Sequence, residues 1–161
     1  MAIETLKEFK LNRNYNASID VVWKAWTDPK LVQEWWGPRG VSNPACLWEP
    51  KAGGKIYIVM LAGKELGPME GTKWPMKGEF VQVTPKSKLV FTSNAVDEND
   101  NAFIENIVTV EFESNNQETL MKIHVVVTKA TGPRAEFAVK GMEMGWTQQF
   151  DKLGETLNRI T

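Results

Sequence analysis

The ending of this chain constrains its fold more than any other stretch. Trp146, Phe150, Leu153, Leu157 and Ile160 recur at intervals of four, three, four and three residues, which is one apolar stripe along a helix of about four turns. Such a helix needs a broad apolar surface to lie on, and the residues before it are patterned to provide one. From Ala45 to Lys129 the periodicity is two. Ile56, Ile58 and Met60 alternate with Tyr57, Val59 and Leu61. A strand apolar on both faces is covered on both sides, or has a core on one face and a cavity or interface on the other. Gly78–Val83 and Leu89–Thr92 read as further strands. Val108, Val110 and Phe112 alternate with Thr109, Glu111 and Glu113, and Met121, Ile123, Val125 and Val127 with Lys122, His124 and Val126. The polar turns 84–87, 97–101 and 114–117 join them into an antiparallel meander. Gly63 to Pro75 reads as a loop or hairpin tip, with Leu66, Met69, Trp74 and Met76 in or beside it.

Ahead of the meander, Ile3 to Asn14 mixes apolar and charged residues as a strand does. Ser18 is placed to cap a helix, with Asp20 in its first turn and Val22, Trp23 and Trp26 at helical spacing. Asp28-Pro29 starts a second helix, which carries Leu31, Val32, Trp35 and Trp36 and ends at Gly37-Pro38. The expectation is one α+β domain over residues 1–161: a curved antiparallel sheet around a long C-terminal helix, with two short helices after the first strand.

Composition narrows the function. The net charge is −1, from 19 basic and 20 acidic residues, without the basic excess of a nucleic-acid binder. No apolar run reaches the ~20 residues that cross a bilayer, and the first residues carry no apolar signal core, so membrane insertion is not expected and cytoplasm is the expected location. Cys46 is the single cysteine, which rules out an internal disulfide and a multi-cysteine metal site. No cofactor or metal is expected. Seven tryptophans are unusual in 161 residues. Each ring can bury ~150–250 Å², so together they either fill a Trp-rich core or line a cavity. Phe137, Gly141 and Met144 continue roughly along the side of the C-terminal stripe, and Gly141 and Gly145 thin the helix at its middle. A thin helix facing a sheet leaves space.

The string Val22-Trp23-Lys24-Ala25-Trp26-Thr27-Asp28-Pro29, followed by Trp35-Trp36-Gly37-Pro38, resembles the signature of the activator-of-heat-shock-protein-90-ATPase homologue-like family (AHSA1-like). Pro50–Gly54, Gly78–Val83, Pro85, Leu89–Thr92 and Gly145-Trp146 with Leu153 are similar to its later landmarks, from about residue 10 to 158. The family belongs to the START-like, or SRPBCC, superfamily that holds the birch-pollen-allergen fold. The resemblance implies a helix-grip fold and a cavity, and it transfers no reaction. The Gly63–Met76 segment, with Trp74 and two methionines, maps onto no family motif.

Catalytic candidates are sparse. His124, the only histidine, stands at a polar-facing strand position and reads as an exposed or satisfied residue. Cys46 has no neighbouring cation to activate it. Glu70, Glu79, Gln82, Glu105 and Asn106 lie on or near strands, and a carboxylate among them would become a general acid only if aimed into an apolar cavity. The leading expectation is binding of an apolar or amphipathic small molecule between the sheet and the C-terminal helix. The side chains expected to line the site come from the second helix (Trp35), the two-sided strand (Ile56, Ile58, Met60) and the loop (Trp74). The middle strands add Phe80, Phe91, Val110, Met121 and Ile123, and the closing helix adds Phe137, Met144 and Trp146. On the Trp35-Trp36 pair, one ring is expected to pack inward while the other stays near the surface. The alternatives are a chaperone partner, by family analogy alone, and an enzyme of cyclase, hydrolase or dehydratase type using a cavity carboxylate or His124. A homodimer through an edge strand or the two-faced strand is also consistent with the pattern.

Overall fold

The computed structural model describes residues 7–161. Strand β1 (Lys7–Tyr15) runs into helix α1 (Ile19–Thr27) and helix α2 (Pro29–Trp35). The expected caps are in place: Ser18 Oγ accepts from the Val21 amide at 3.4 Å, and Asp28 Oδ1 from the Lys30 amide at 3.0 Å. Residues 3–6 of the expected first strand lie outside the described residues. The meander follows as β2 (Val41–Trp48), β3 (Lys55–Ala62), β4 (Lys73–Thr84), β5 (Lys88–Val96), β6 (Ala102–Asn115) and β7 (Glu118–Ala130). Helices α3 (Pro133–Lys140) and α4 (Met142–Ile160) close the chain.

The seven strands form one antiparallel sheet in the order β1-β7-β6-β5-β4-β3-β2. Every neighbour except β1–β7 is a hairpin partner in sequence. Register shifts at Ser42/Ala45, Phe80/Gln82, Ala95/Val96 and Glu105/Asn106 interrupt the ladder, and such irregularities bend a sheet. The sheet is curved, and α4 lies in its concave side. Trp146, Phe150, Leu153 and Leu157 are buried there, as their stripe requires.

Two segments differ from the sequence expectation. Only Lys64–Met69 forms an irregular turn of 3-10 type, and the chain is already in strand at Lys73, so Trp74 and Pro75 belong to β4. Pro75 is tolerated because β4 pairs there with β3 alone, opposite Val59, and the β5 ladder begins only at Met76. The missing N–H therefore removes no bond on the second side. The closing helix is also broken, at Gly141, into a two-turn α3 and a five-turn α4. Among the described residues no helix is long and apolar enough to cross a membrane.

Candidate functional site

The concave side of the sheet has two unlike halves. Under α1, α2 and the middle of α4 it is filled by aromatic rings. Trp26 meets Trp35 edge-on with centroids 4.7 Å apart, Trp48 meets Phe80 at 5.0 Å and Phe91 at 5.4 Å, and Trp36 joins Trp48 at 5.3 Å and Trp146 at 5.6 Å. Phe150 completes the cluster against Trp26 and Trp146. Trp35 and Trp48 are held in orientation by their indole N–H groups, which donate to the Ala25 and Trp26 carbonyls at 3.1 and 2.7 Å.

The other half lies where α3 covers β5, β6 and β7. There Ile104, Val127 and Ala135 form a separate small cluster, with Ala95, Phe103, Ala138 and Val139 packed on it, while half-buried Met142 touches both clusters. The facing side chains are smaller than the rings of the other half: Ser93 and Ala95 on β5, Ile104 on β6 and Val127 on β7, against Ala135, Ala138 and Val139 on the helix. Arg134, in the first turn of α3, stacks between two rings, 4.2 Å from the Trp74 centroid and 5.0 Å from that of Phe103, and donates to the Lys73 carbonyl at 2.9 Å. Thus α3 is pinned at one end by a cation between aromatic rings and flanked at both ends by exposed glycines, Gly132 and Gly141.

The expected site residues distribute unevenly between these halves. Trp35, Phe80, Phe91 and Trp146 belong to the aromatic cluster, and Ile56, Ile58, Val110, Met121 and Ile123 are buried in the same core, with Met60 packed against it. Trp74 is half-buried beneath Arg134. Phe137 and Met144 face solvent, 62% and 68% exposed. The reason for Met144 is phase: two residues before Trp146 is about 200° around a helix, the opposite side from the stripe. Met142, four residues before Trp146, takes the inward place.

The glycine argument needs a parallel correction. Gly141 is exposed, with open space where a Cβ would stand, and Gly145 turns toward Pro38, whose Cβ would be 3.9 Å from an added Cβ. Neither thins the helix toward the hollow. Trp35 and Trp36 are both buried, at 0% and 3% exposure, against the expectation that one would stay near the surface. Trp36 is already past the helix, in extended backbone at φ −67°, ψ 140°, so helical spacing no longer separates it from Trp35.

The turn after Trp36 is what fixes α4. Lys152 Nζ donates to the carbonyls of Trp36, Gly37 and Pro38 at 3.2, 3.2 and 3.4 Å, and Gln149 Oε1 accepts from the Gly37 amide at 2.7 Å. Burial, and secondarily the Arg39 guanidinium, lower the Lys152 pKa. Arg39 pairs with Glu155 and Arg159 with Glu34. These residues border a surface cleft of about 380 Å³ whose charged lining is three acids (Glu34, Glu65, Glu155) and three bases (Arg39, Lys152, Arg159), a balance that leaves little net field for a charged ligand. A second cleft, of about 420 Å³, lies against the sheet around Gly78, between Tyr57 and Thr92. Of the expected site residues, Ile56 alone borders either one.

The ionisable candidates are spent on surface contacts. His124 Nε2 lies 2.7 Å from Glu8 Oε2 on β1. Glu79 pairs with Lys55 at 3.4 Å, and Glu105 falls between inward-facing Ile104 and Asn106, hence on the outer side. Burial pushes the Cys46 thiol up to about 11. The six buried polar side chains among the described residues, Asn43, Ser93, Asn106, Thr119, Gln149 and Thr156, are all neutral.

A curved antiparallel sheet gripping a long C-terminal helix, with two short helices after the first strand, defines the helix-grip class. The chain belongs to the family described as Activator of Hsp90 ATPase homolog 1-like protein, which it matches over residues 16–158, within the START-like superfamily. Solved structures with the same fold include a protein from Arthrobacter aurescens, at TM-score 0.79 and 23% identity over 99% of this chain and 90% of that one. The AHSA1 protein of Silicibacter pomeroyi aligns at TM-score 0.76 and 23% identity over 96% of this chain and 100% of that one. A protein from Nitrosomonas europaea aligns at TM-score 0.74 and 24% identity over 96% of each chain. No curated protein matches the chain.

Proposed function

We propose that this protein binds an apolar or amphipathic small molecule on the concave side of its sheet, beneath α3. The observation that carries the reading is the contrast between the two halves of the hollow. One is filled by large rings. The other is closed by a two-turn helix between glycines that sets Ala135, Ala138 and Val139 against aliphatic residues of the sheet, Ala95, Ile104 and Val127. Moving α3 outward would expose Ile104, Val127 and Ala95 without disturbing the aromatic half. Phe137 and Met144, exposed on either side of the Gly141 break, supply apolar surface at the rim. Of the other residues expected to line the site, Trp74 borders this half beneath Arg134, whereas Trp35, Ile56, Ile58, Met60, Phe80, Phe91, Val110, Met121, Ile123 and Trp146 pack in the aromatic half beside it. The fold supports the reading as well, since START-like folds commonly hold hydrophobic ligands. A neutral interior offers hydrogen bonds rather than acid–base groups, which favours carriage over catalysis.

Titration with a homologous series of straight-chain alcohols, octanol to dodecanol, tests it. Affinity is expected to rise with chain length by up to about 0.8 kcal/mol per methylene, with a negative heat-capacity change. The Ala135→Phe variant, which puts a ring where fully buried Ala135 meets Ile104 and Val127, is expected to lose binding while keeping its secondary structure by circular dichroism. Saturable binding that ignores both chain length and Ala135→Phe would refute the proposal.

A further inference from the structure

Beside the cluster that α3 covers, one buried polar atom among the described residues is left without a partner. Ile104, Asn106, Val108, Val110 and Phe112 all face inward from β6, so Asn106 interrupts an otherwise apolar row. It stands at the seam between the two clusters, with Ile104 in one and Val108 in the other. Its cross-strand partners are Ser93 on β5 and Val127 on β7, the latter packed with Ala135 of α3. Asn106 is only 7% exposed. Its Nδ2 donates to the Ser93 carbonyl at 2.9 Å, which fixes which end of the amide is which. Its Oδ1 then accepts nothing.

A buried acceptor left unpaired costs on the order of 1–3 kcal/mol, and native interiors keep few of them without a reason. The other unpartnered buried atoms are differently placed. Trp26 Nε1 sits in the ring-filled half, and the Asn43 and Gln149 side chains already tie down the Trp36–Gly37 turn through their other ends. Asn106 Oδ1 alone borders the half that α3 covers.

Resting on the ligand-binding reading above, we propose that Asn106 Oδ1 is the polar anchor of the site, and that the ligand is an apolar molecule carrying a hydroxyl or amide N–H donor. The same geometry disfavours a carboxylate. An acceptor facing a carboxylate is repulsive, every buried polar side chain among the described residues is neutral, and the cations at the two ends of α3, Arg134 and Lys7, are held by the Lys73 and Val139 carbonyls, so a carboxylate at Asn106 would be desolvated without a counter-ion beside it. Fatty alcohols and primary amides are therefore taken in preference to fatty acids, in contrast to a site built around an arginine.

The test compares decanol, its methyl ether and decanoate on the wild-type protein and on Asn106→Leu, by calorimetry at neutral pH. The alcohol is expected to bind the wild-type protein roughly fivefold or more tighter than the ether, the equivalent of about 1 kcal/mol for one hydrogen bond, and decanoate more weakly than either. Asn106→Leu is expected to bring alcohol and ether to equal affinity. Equal affinities of alcohol and ether for the wild-type protein would overturn the anchor and leave the ligand-binding reading standing, even if Asn106→Leu failed to fold. The anchor is also overturned by an ordered water on Oδ1 that persists in the decanol complex. Failure of all three compounds to bind would overturn both readings.

Discussion

Two glycines on either side of one turn are expected to respond in opposite directions to the same substitution. Gly37 has φ +85°, and a Cβ there would lie 2.7 Å from Val41 Cγ2 and 2.8 Å from Met60 Sδ. Gly37→Ala therefore brings a backbone penalty of about 1–2 kcal/mol and an overpacking penalty of about 1–3 kcal/mol. Met60 is flexible and gives way in part, so the total expected is about 2–4 kcal/mol. Gly145, in the first turns of α4, faces the same segment, but its added Cβ meets only Pro38 Cβ at 3.9 Å, an ordinary contact. Gly145→Ala therefore gains helix propensity, up to ~1 kcal/mol. Urea unfolding followed by tryptophan fluorescence measures both, with the slope on denaturant unchanged if only stability moves. In a domain of this size the expected changes correspond to a fall of roughly 5–15 °C in melting temperature for Gly37→Ala and a rise of about 2–4 °C for Gly145→Ala. If Gly37→Ala were neutral, or if Gly145→Ala destabilised, the account of how this turn packs on α4 would be wrong.

Two further outcomes follow from other contacts. Arg134→Ala removes the cation held between Trp74 and Phe103; at ~0.5–1 kcal/mol for each exposed pair, amide exchange in α3 should speed up about five- to thirtyfold while α4 is unchanged, and equal protection of α3 in both proteins would show that the stack holds nothing closed. Burial raises the Cys46 thiol from 9.0 to about 11, so alkylation by iodoacetamide at mildly alkaline pH should run about a hundredfold slower in the folded protein than in urea, and matching rates would contradict the burial.

How much of this was legible in the sequence depended on whether a side chain's direction follows from local periodicity. The α1 and α2 caps, the alternation of β6 and β7, and the stripe from Trp146 to Ile160 are local signals, and each appears where spacing put it. Trp36 was misplaced because its direction depends on where α2 stops, and a boundary one residue earlier turns the ring inward. Met144 was misplaced because it is in step with Phe137, seven residues before it, and not with Trp146, two residues after it, so it lies on the side of the exposed Phe137 and opposite the stripe. Trp74 read as loop because Gly and Pro crowd the segment, and nothing local shows that β5 pairs with β4 only from Met76 onward. Asn106 was visible as a strand residue, in phase with Val108, Val110 and Phe112. Its meaning was not visible, because an orphaned acceptor is defined by what fails to approach it across the sheet.

The order of the strands also sets the order in which this protein can be built. Strands β2 to β7 each pair with the next, so six of the seven can assemble as successive hairpins while the chain is still being made. The strand made first has to wait: Lys7 pairs with Val127 and Tyr15 with Thr119, a closure across more than a hundred residues of chain. Until β7 has left the ribosome, β1 has no strand to pair with. The tryptophans of α1 and α2 meet the sheet earlier, through Trp48, Phe91 and Phe112, but their cover from α4, Trp146 and Phe150, is the last part of the molecule to be made.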